Sequence, residues 1–426
     1  MALHLLNRTP GLVQSEHRFF GCNLALIKHL FYNEHMDVFE KIKLTGLNMP
    51  FESAEDEISS RQLPDCAVDV DVLSTIFPMI QARLPNGQTI PLLKTMQTSV
   101  CEKDCHYCCF RSERDTPRAS LSPDELASAV NRLTRAGIAK GLFLSSGVAG
   151  GGAHTQDRLI ATAEILRQKY HYQEYIHLKI MPDAEKDQVL RAMQLADRVS
   201  INLEGPNETS LRRLAPHKSF LSELLGPLKM IEDIRQTESP HLVWNQRWPS
   251  SCTQFVVGAV GESDAQLLHT TVQLQQRFHI TRAYYSKFSP VIRTPFENLP
   301  PASSLRQHRL YQAFFLLRDY HFDYEELAFD SGGNLNLEKD PKLVWAESHL
   351  YETPIEINTA EYTQLLKVPG IGSIGAKKIL LARTYGIIRD VHTLQKMGIT
   401  TARASKFILI NGRRPPYQPG LLKISS

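Results

Sequence analysis

The sequence predicts an α/β chain, a partly closed (β/α)6 barrel followed by a small all-α domain. From about residue 90, short β-branched or apolar runs alternate with longer helical patterns. Six such units in a row imply a parallel sheet with right-handed crossovers. Beyond residue 359 the run LLKVPGIGSIGAKKIL, Leu365 to Leu380, reads instead as helix, hairpin, helix.

Residues 1–89 read as an N-terminal extension, 90–320 as the α/β core, 321–358 as a connecting segment and 359–426 as the all-α domain. Residues 1–35 carry no motif, and a regular helical pattern, MDVFEKIKLTGL, begins at Met36. Residues 48–64 are acidic, polar and Pro-punctuated, the composition of a loop. Cys66 is isolated and reads as an incidental thiol. The expected strands are IPLLKTMQT, GLFLSS (Gly141 to Ser146), YIHLKI (Tyr175 to Ile180), RVSINL (Arg198 to Leu203), CTQFVVGAV (Cys252 to Val260) and RAYYSKF (Arg282 to Phe288). Between the first two, SPDELASAVNRLTRA has Ser122 to cap a helix and Pro123 suited to its first position. The unusual loops all follow carboxyl ends of strands, where barrels gather active-site groups. A flat doubly wound sheet would collect them at the same edge.

With 42% hydrophobic and 22% charged residues in 426, the composition is that of a globular protein rather than a disordered one. Seven cysteines, an odd number with three clustered, argue for a reducing compartment and against a disulfide framework. No apolar run approaches the ~20 residues of a membrane helix, and the start lacks a secretory pattern, so a cytoplasmic protein is expected. Charge is uneven. Residues 361–426 hold eleven Lys and Arg against Glu361 and Asp390, +9, while the whole chain is only +3. A basic tail on a mildly acidic body points to a polyanionic partner, or to a solvated lysine-rich face.

In VCEKDCHYCCF, Cys101, Cys105 and Cys108 stand beside Tyr107. Three thiolates on one tight loop can hold three corners of an iron–sulfur cube and leave the fourth iron open. S-adenosylmethionine can chelate that iron, and an electron from the cluster then releases a 5′-deoxyadenosyl radical, chemistry that belongs to the cofactor. Zinc would need a fourth ligand such as His106 or Cys109; buried free thiols are the other alternative. The spacing resembles the signature of the radical SAM enzymes.

That resemblance implies a cofactor pocket. Tyr107 precedes the last cysteine, and Ser145, Ser146 and Gly147 stand where these enzymes carry a glycine-rich turn that binds the methionine amino group. Ser200, Asn202 and Glu204 alternate along an expected strand, so they should share one face and meet ribose and carboxylate. Val260, in VVGAVGES, is the backbone candidate against adenine. Cys109 and Cys252 read as structural.

The Val368-Pro369-Gly370-Ile371-Gly372 turn closely resembles the helix-hairpin-helix of DNA repair and processing proteins. Backbone N–H groups there can hold a phosphate without reading bases, and Lys377 and Lys378 add salt-sensitive attraction. A second unit, TLQKMGITTARASKFIL, lacks the Gly-x-Gly turn and reads as a degenerate partner; Arg413 and Arg414 in the closing NGRRPPYQPG are available to phosphate.

PLLKTMQTSVCEKDCHYC, GLFLSSGV, DPKLVWAESH and IEINTAEYTQLLKVPGIG together resemble the DNA modification and repair radical SAM proteins associated with a uracil-DNA-glycosylase-like partner. The resemblance implies a 4Fe–4S cluster, S-adenosylmethionine, nucleic acid as substrate, an electron donor of flavodoxin or ferredoxin type and that glycosylase-like partner. Residues 48–68 depart from the Cys- and Ser-rich N-terminal segment of the family. The expected function is modification or repair of a nucleotide in DNA, with Tyr284, Tyr285, Lys287 and Arg293 as candidates for the substrate mouth, burial in the strand being the alternative for the two tyrosines. An RNA-modifying enzyme and a non-catalytic metal-containing DNA-binding protein are the alternatives.

Overall fold

The computed structural model describes residues 36–46, 49, 52, 56–57, 77–84 and 87–416. The readings of residues 1–35, of Cys66 and of the last ten residues lie outside them. In chain order the elements begin with α1 (Met36–Gly46), β1 (Asp56–Glu57), β2 (Met79–Arg83), β3 (Thr89–Met96), α2 (Pro123–Arg135) and β4 (Gly141–Ser145). Next come α3 (Gly152–Glu164), β5 (Tyr175–Lys179), α4 (Lys186–Leu195), β6 (Arg198–Ser200), α5 (Glu208–Leu214), α6 (Gly226–Thr237), β7 (Ser250–Val257), α7 (Asp264–Phe278) and β8 (Arg282–Lys287). The remainder is α8 (Ser304–Asp319), α9 (Pro341–His349), β9 (Ile355–Glu356), α10 (Tyr362–Lys367), α11 (Ser373–Arg383), α12 (Val391–Lys396), α13 (Thr401–Ala404) and β10 (Ile408–Leu409).

The chain divides into two compact units, Met1–Ile201 with Leu221–Cys252, and Asn202–Phe220 with Thr253–Ser426. In the first, β3, β4, β5, β6 and the opening residues of β7 pair in parallel and in chain order. That sequential order is the order of a partial barrel; a doubly wound sheet reverses at a switch point. The two-residue β1 and then β2 extend the sheet antiparallel to β3. Neither was among the expected strands, and β1 falls in the stretch read as a loop. Leu84 N–H bonds the Gln88 carbonyl at 2.8 Å, just beyond β2 and just before β3.

The helices cover one face of this sheet. Thr45 of α1 bonds Thr95 at 2.9 Å and Thr162 of α3 bonds Gln97 at 2.7 Å, which places both helices on the Leu93, Thr95, Gln97 side. Leu93, Leu142 and Ile176 are fully buried on that side in register, and so are Leu144, Leu178 and Val199 in the next row. Helix α2 starts as its residues dictate, with Ser122 and Glu125 in a reciprocal capping box after an extended backbone. The opposite face carries Lys94, Phe143, His177 and Arg198, then Met96, Ser145, Lys179 and Ser200 one pleat further on.

In the second unit Phe288 N–H bonds the Val257 carbonyl at 2.8 Å, joining the end of β8 to the end of β7. Tyr285 is fully buried, stacked on Phe255 with ring centroids 6.0 Å apart and bonded to Thr271 at 2.9 Å. Burial raises its phenol, against the opposing effects of the Thr271 bond and the Arg282 charge. Tyr284 is buried as well, with the Arg282 guanidinium 5.4 Å from its ring. Both tyrosines are therefore core residues and do not line a mouth, whereas Lys287 and Arg293 are exposed. Strands β9 and β10 form a separate parallel pair beside the terminal helices. Among the described residues no helix is long and apolar enough to cross a membrane.

Candidate functional site

The cysteine loop leaves the carboxyl end of β3. Cys105 is buried, Cys101 and Cys108 are half-buried, and the Cys108 N–H closes a turn onto the Cys105 carbonyl at 3.2 Å. Phe110 N–H points at the Cys108 sulfur, 3.4 Å away. A hydrogen bond with Cys108 lowers the neighbouring Cys109 thiol, against the opposing effect of its burial. Among the described residues no three His, Cys, Asp or Glu side chains already converge as a metal-holding group. The fit to an iron–sulfur cluster rests on the donor set itself, three thiols on one loop with an amide directed at one sulfur.

What fixes the loop is a residue that motif reading passed over. Arg118 donates to the carbonyls of Ser99, Phe110, Arg111 and Arg114 at 2.7–3.0 Å, closing the loop from both ends. Arg114 adds the Cys109 carbonyl at 2.9 Å. Each carbonyl is one that the irregular backbone leaves without a ladder partner. Lys103 in the same loop reaches Glu223 at 3.2 Å and lies 4.0 Å from Asp183, in the loop after β5.

The Ser145–Gly147 turn, at the end of β4, touches the cysteine loop directly. A side chain at Gly147 would place its first carbon 2.2 Å from the Val100 carbonyl oxygen and 3.1 Å from the Cys101 Cβ. Only glycine lets the two backbones come this close. Glu102 N–H bonds the Val148 carbonyl at 2.8 Å, and its carboxylate accepts from Gly150 N–H at 3.2 Å. Ser146 is half-buried with its hydroxyl on the Gly147 carbonyl, 2.7 Å. The structure thus brings Cys101, Ser146 and Gly147 together within the first unit.

Ser200 closes β6 in the first unit, buried. The regular strand is interrupted there and the backbone meets β7 again at Glu204, whose N–H bonds the Gln254 carbonyl at 3.0 Å and whose carbonyl accepts from Val256 N–H at 2.8 Å. Glu204 sits in the left-handed region at φ 65° and its buried carboxylate pairs with Lys218 at 3.0 Å, both in the second unit with Asn202. The Val260 backbone is engaged: its N–H bonds Glu262 at 3.3 Å and its carbonyl accepts from Arg213. Glu262 also accepts from Gly258 N–H at 2.5 Å, so the glycine-rich turn is closed by its own carboxylate.

In the C-terminal part, α10 and α11 flank the turn at 368–372. Val368 is buried and spends its N–H on Leu365 and its carbonyl on Ile371, so it shapes the turn from inside. Gly370 has φ 87°, and a Cβ on it would lie 2.5 Å from the Thr400 carbonyl oxygen. Gly372 precedes α11 and supplies no side-chain cap, leaving the first-turn amides of that helix without one. Lys377 and Lys378 are exposed, the latter donating to the Met397 carbonyl at 3.0 Å. Lys342, also missed in the sequence, donates to the Ile371 carbonyl at 2.7 Å over the Tyr320 ring; its burial lowers it to about 7.

Residues 97–236 match the family model described as the Radical SAM superfamily. The fold is similar to a methylornithine synthase (13% identity over 53% of this chain and 61% of that one, TM-score 0.42). It is also similar to the FeFe-hydrogenase maturase HydG from Carboxydothermus hydrogenoformans (16%, 53% and 51%, TM-score 0.43), and to the radical S-adenosylmethionine methyltransferase TsrM from Kitasatospora setae (11%, 51% and 39%, TM-score 0.37). The aligned part therefore spans less than two thirds of each of these proteins. No curated protein matches the chain. The match over 97–236, which takes in the cysteine loop, β4 to β6 and most of α6, identifies a domain of the radical SAM superfamily whose cofactors are a 4Fe–4S cluster and S-adenosylmethionine.

Proposed function

We propose that the protein is a radical SAM enzyme that modifies or repairs a nucleotide in DNA. Cys101, Cys105 and Cys108 are the cluster ligands in this reading. The backbone of Ser145, Ser146 and Gly147, together with Tyr107 of the cysteine loop, takes the methionine end of the cofactor; Ser200 and Asn202 supply further polar contacts, and Glu204 acts as a pair with Lys218. When bound, the cofactors supply a hydrogen-abstracting radical. The chain's own residues hold the loop (Arg118), set the approach of the two backbones (Gly147) and shelter the thiols, Cys105 fully and Cys101 and Cys108 in part.

The observation that carries the nucleic-acid part is the turn at 368–372. An uncapped helix start, a left-handed glycine and two exposed lysines on the following turn supply amide donors and positive charge to a phosphate. The +9 charge of residues 361–426 supports the same reading. Such a turn grips backbone and is blind to the 2′-hydroxyl, so the choice of DNA rests on the resemblance of the motifs. A flavodoxin- or ferredoxin-type reductant and a uracil-DNA-glycosylase-like protein are the partners of this reading. Binding of single-stranded DNA, duplex DNA and tRNA at matched salt tests it. The expected order puts a DNA first, with Lys377→Gln weakening it. Preference for tRNA would move the substrate to RNA, and binding indifferent to the turn would remove the interface.

A further inference from the structure

The inner face of the first unit carries two lysines that the cofactor reading does not use. Lys94 lies on β3 at 2% exposure, and Lys179 ends β5. Ser145 ends β4 between them, itself 2% exposed. Strand register puts all three side chains on the face opposite the helices. A buried ammonium is costly unless a carbonyl or an anion meets it. Here both come from one residue, Glu52. Its carbonyl accepts from Lys94 at 2.7 Å, and its carboxylate accepts from Lys179 and, at 3.4 Å, from Ser145. Its side chain is 18% exposed, that of Lys179 13%. The chain has thus seated an acidic group of its own among two cations and a hydroxyl, at the rim from which the cysteine loop departs.

We infer that Lys94, Ser145 and Lys179 form an anion-binding subsite for the substrate, and that Glu52 holds it until a substrate phosphate displaces the carboxylate. That the anion is a phosphate rests on the nucleic-acid reading above; the subsite itself does not. The exchange is one of like for like at Lys179 and Ser145, carboxylate oxygens for phosphate oxygens, while Lys94 keeps the Glu52 carbonyl beside them, so no buried cation is left unmatched at either stage. It also makes Glu52 a competitor of substrate, which a purely structural ion pair is not.

The test uses the full-length protein carrying its cluster, with apparent affinities taken from ligand-dependent melting shifts at constant ionic strength. The probes are inorganic phosphate and a deoxynucleoside 5′-monophosphate. Glu52→Gln should bind both at least tenfold more tightly than the unaltered chain, and adding Lys179→Met should cancel the gain. Affinity for S-adenosylmethionine, measured on the same proteins, should stay within twofold. Equal phosphate affinity with and without Glu52→Gln overturns the subsite. A tenfold loss of S-adenosylmethionine affinity in Lys94→Met or Lys179→Met also overturns it, since the lysines would then serve the cofactor. A monophosphate that binds no better than inorganic phosphate supports the subsite and removes the nucleotide from it. Because Glu52→Gln is a gain-of-binding variant, a misfolded protein cannot imitate the expected result.

Discussion

The loop at 100–112 and the turn at 368–372 are both short, irregular and fixed by close backbone approach, yet they divide the work in opposite ways. In the first the side chains are the chemistry, and the rest of the molecule holds their backbone: Arg118 takes four carbonyls and Gly147 makes room. In the proposed function the second acts through its backbone. Val368 is buried, Gly370 and Gly372 have no side chains to offer, and amides are presented directly. The difference teaches where substitution should be specific. Cysteine-loop changes should act on iron and spare nucleic acid, and changes at the turn should do the reverse.

The largest expected effect is on the loop. Cys105→Ala should abolish bound iron and sulfide after anaerobic reconstitution while nucleic-acid affinity stays within about twofold of the parent, the additivity expected of separate sites. Equal iron content in the two proteins would break the comparison. At the turn, Gly370→Ala combines a left-handed backbone with an atom 2.5 Å from the Thr400 carbonyl. Strain of about 1–3 kcal/mol is expected, read as a lower melting temperature and nucleic-acid binding weakened about tenfold, with iron unchanged. Gly147→Ala is its mirror. Overpacking against Val100 should cost about 1–3 kcal/mol and lower S-adenosylmethionine affinity, leaving the turn intact.

How far these two regions could be read from the chain differs for the same reason. Cys101, Cys105, Cys108 and Gly370 announce themselves because spacing and residue type carry the chemistry. The six strands were likewise visible in their β-branched runs. Arg118 was not, because a guanidinium that collects carbonyls has no fixed distance from what it serves. Strand β2 was hidden by the Pro-rich segment around it, although the Pro85-Asn86-Gly87 sequence after it is a turn signal. Glu204 was less legible for a different reason: alternation in RVSINLEG has the strand period, but the regular ladder breaks after Ser200 and meets β7 again at Glu204 opposite Phe255, one residue out of step, with Glu204 in the left-handed region. Tyr284 and Tyr285 read in sequence either as a stacking platform or as buried strand residues, and they are core, since aromatic residues serve either purpose and only burial tells them apart.

Two smaller effects sharpen the turn. Lys342, lowered from 10.5 to about 7 by burial, is deprotonated in the native state where the unfolded chain still binds a proton. Stability should therefore rise as pH increases from about 7 toward 10, and Lys342→Met should flatten that slope in thermal melts. An unchanged slope would show that the ammonium on the Ile371 carbonyl stays charged. The smallest effect is at Lys377. Its change to Gln should weaken nucleic-acid binding only a few-fold, uniformly across sequences, and reduce the salt slope by about one.

The central claim is that the cysteine loop holds a radical-generating cofactor pair put to work on nucleic acid. Formation of 5′-deoxyadenosine by the anaerobically reconstituted full chain, with reductant and S-adenosylmethionine, tests it most directly. The account predicts four-iron stoichiometry, cleavage that vanishes in Cys105→Ala, and turnover stimulated by DNA. Protein that contains zinc without sulfide-bridged iron and leaves S-adenosylmethionine intact would contradict it.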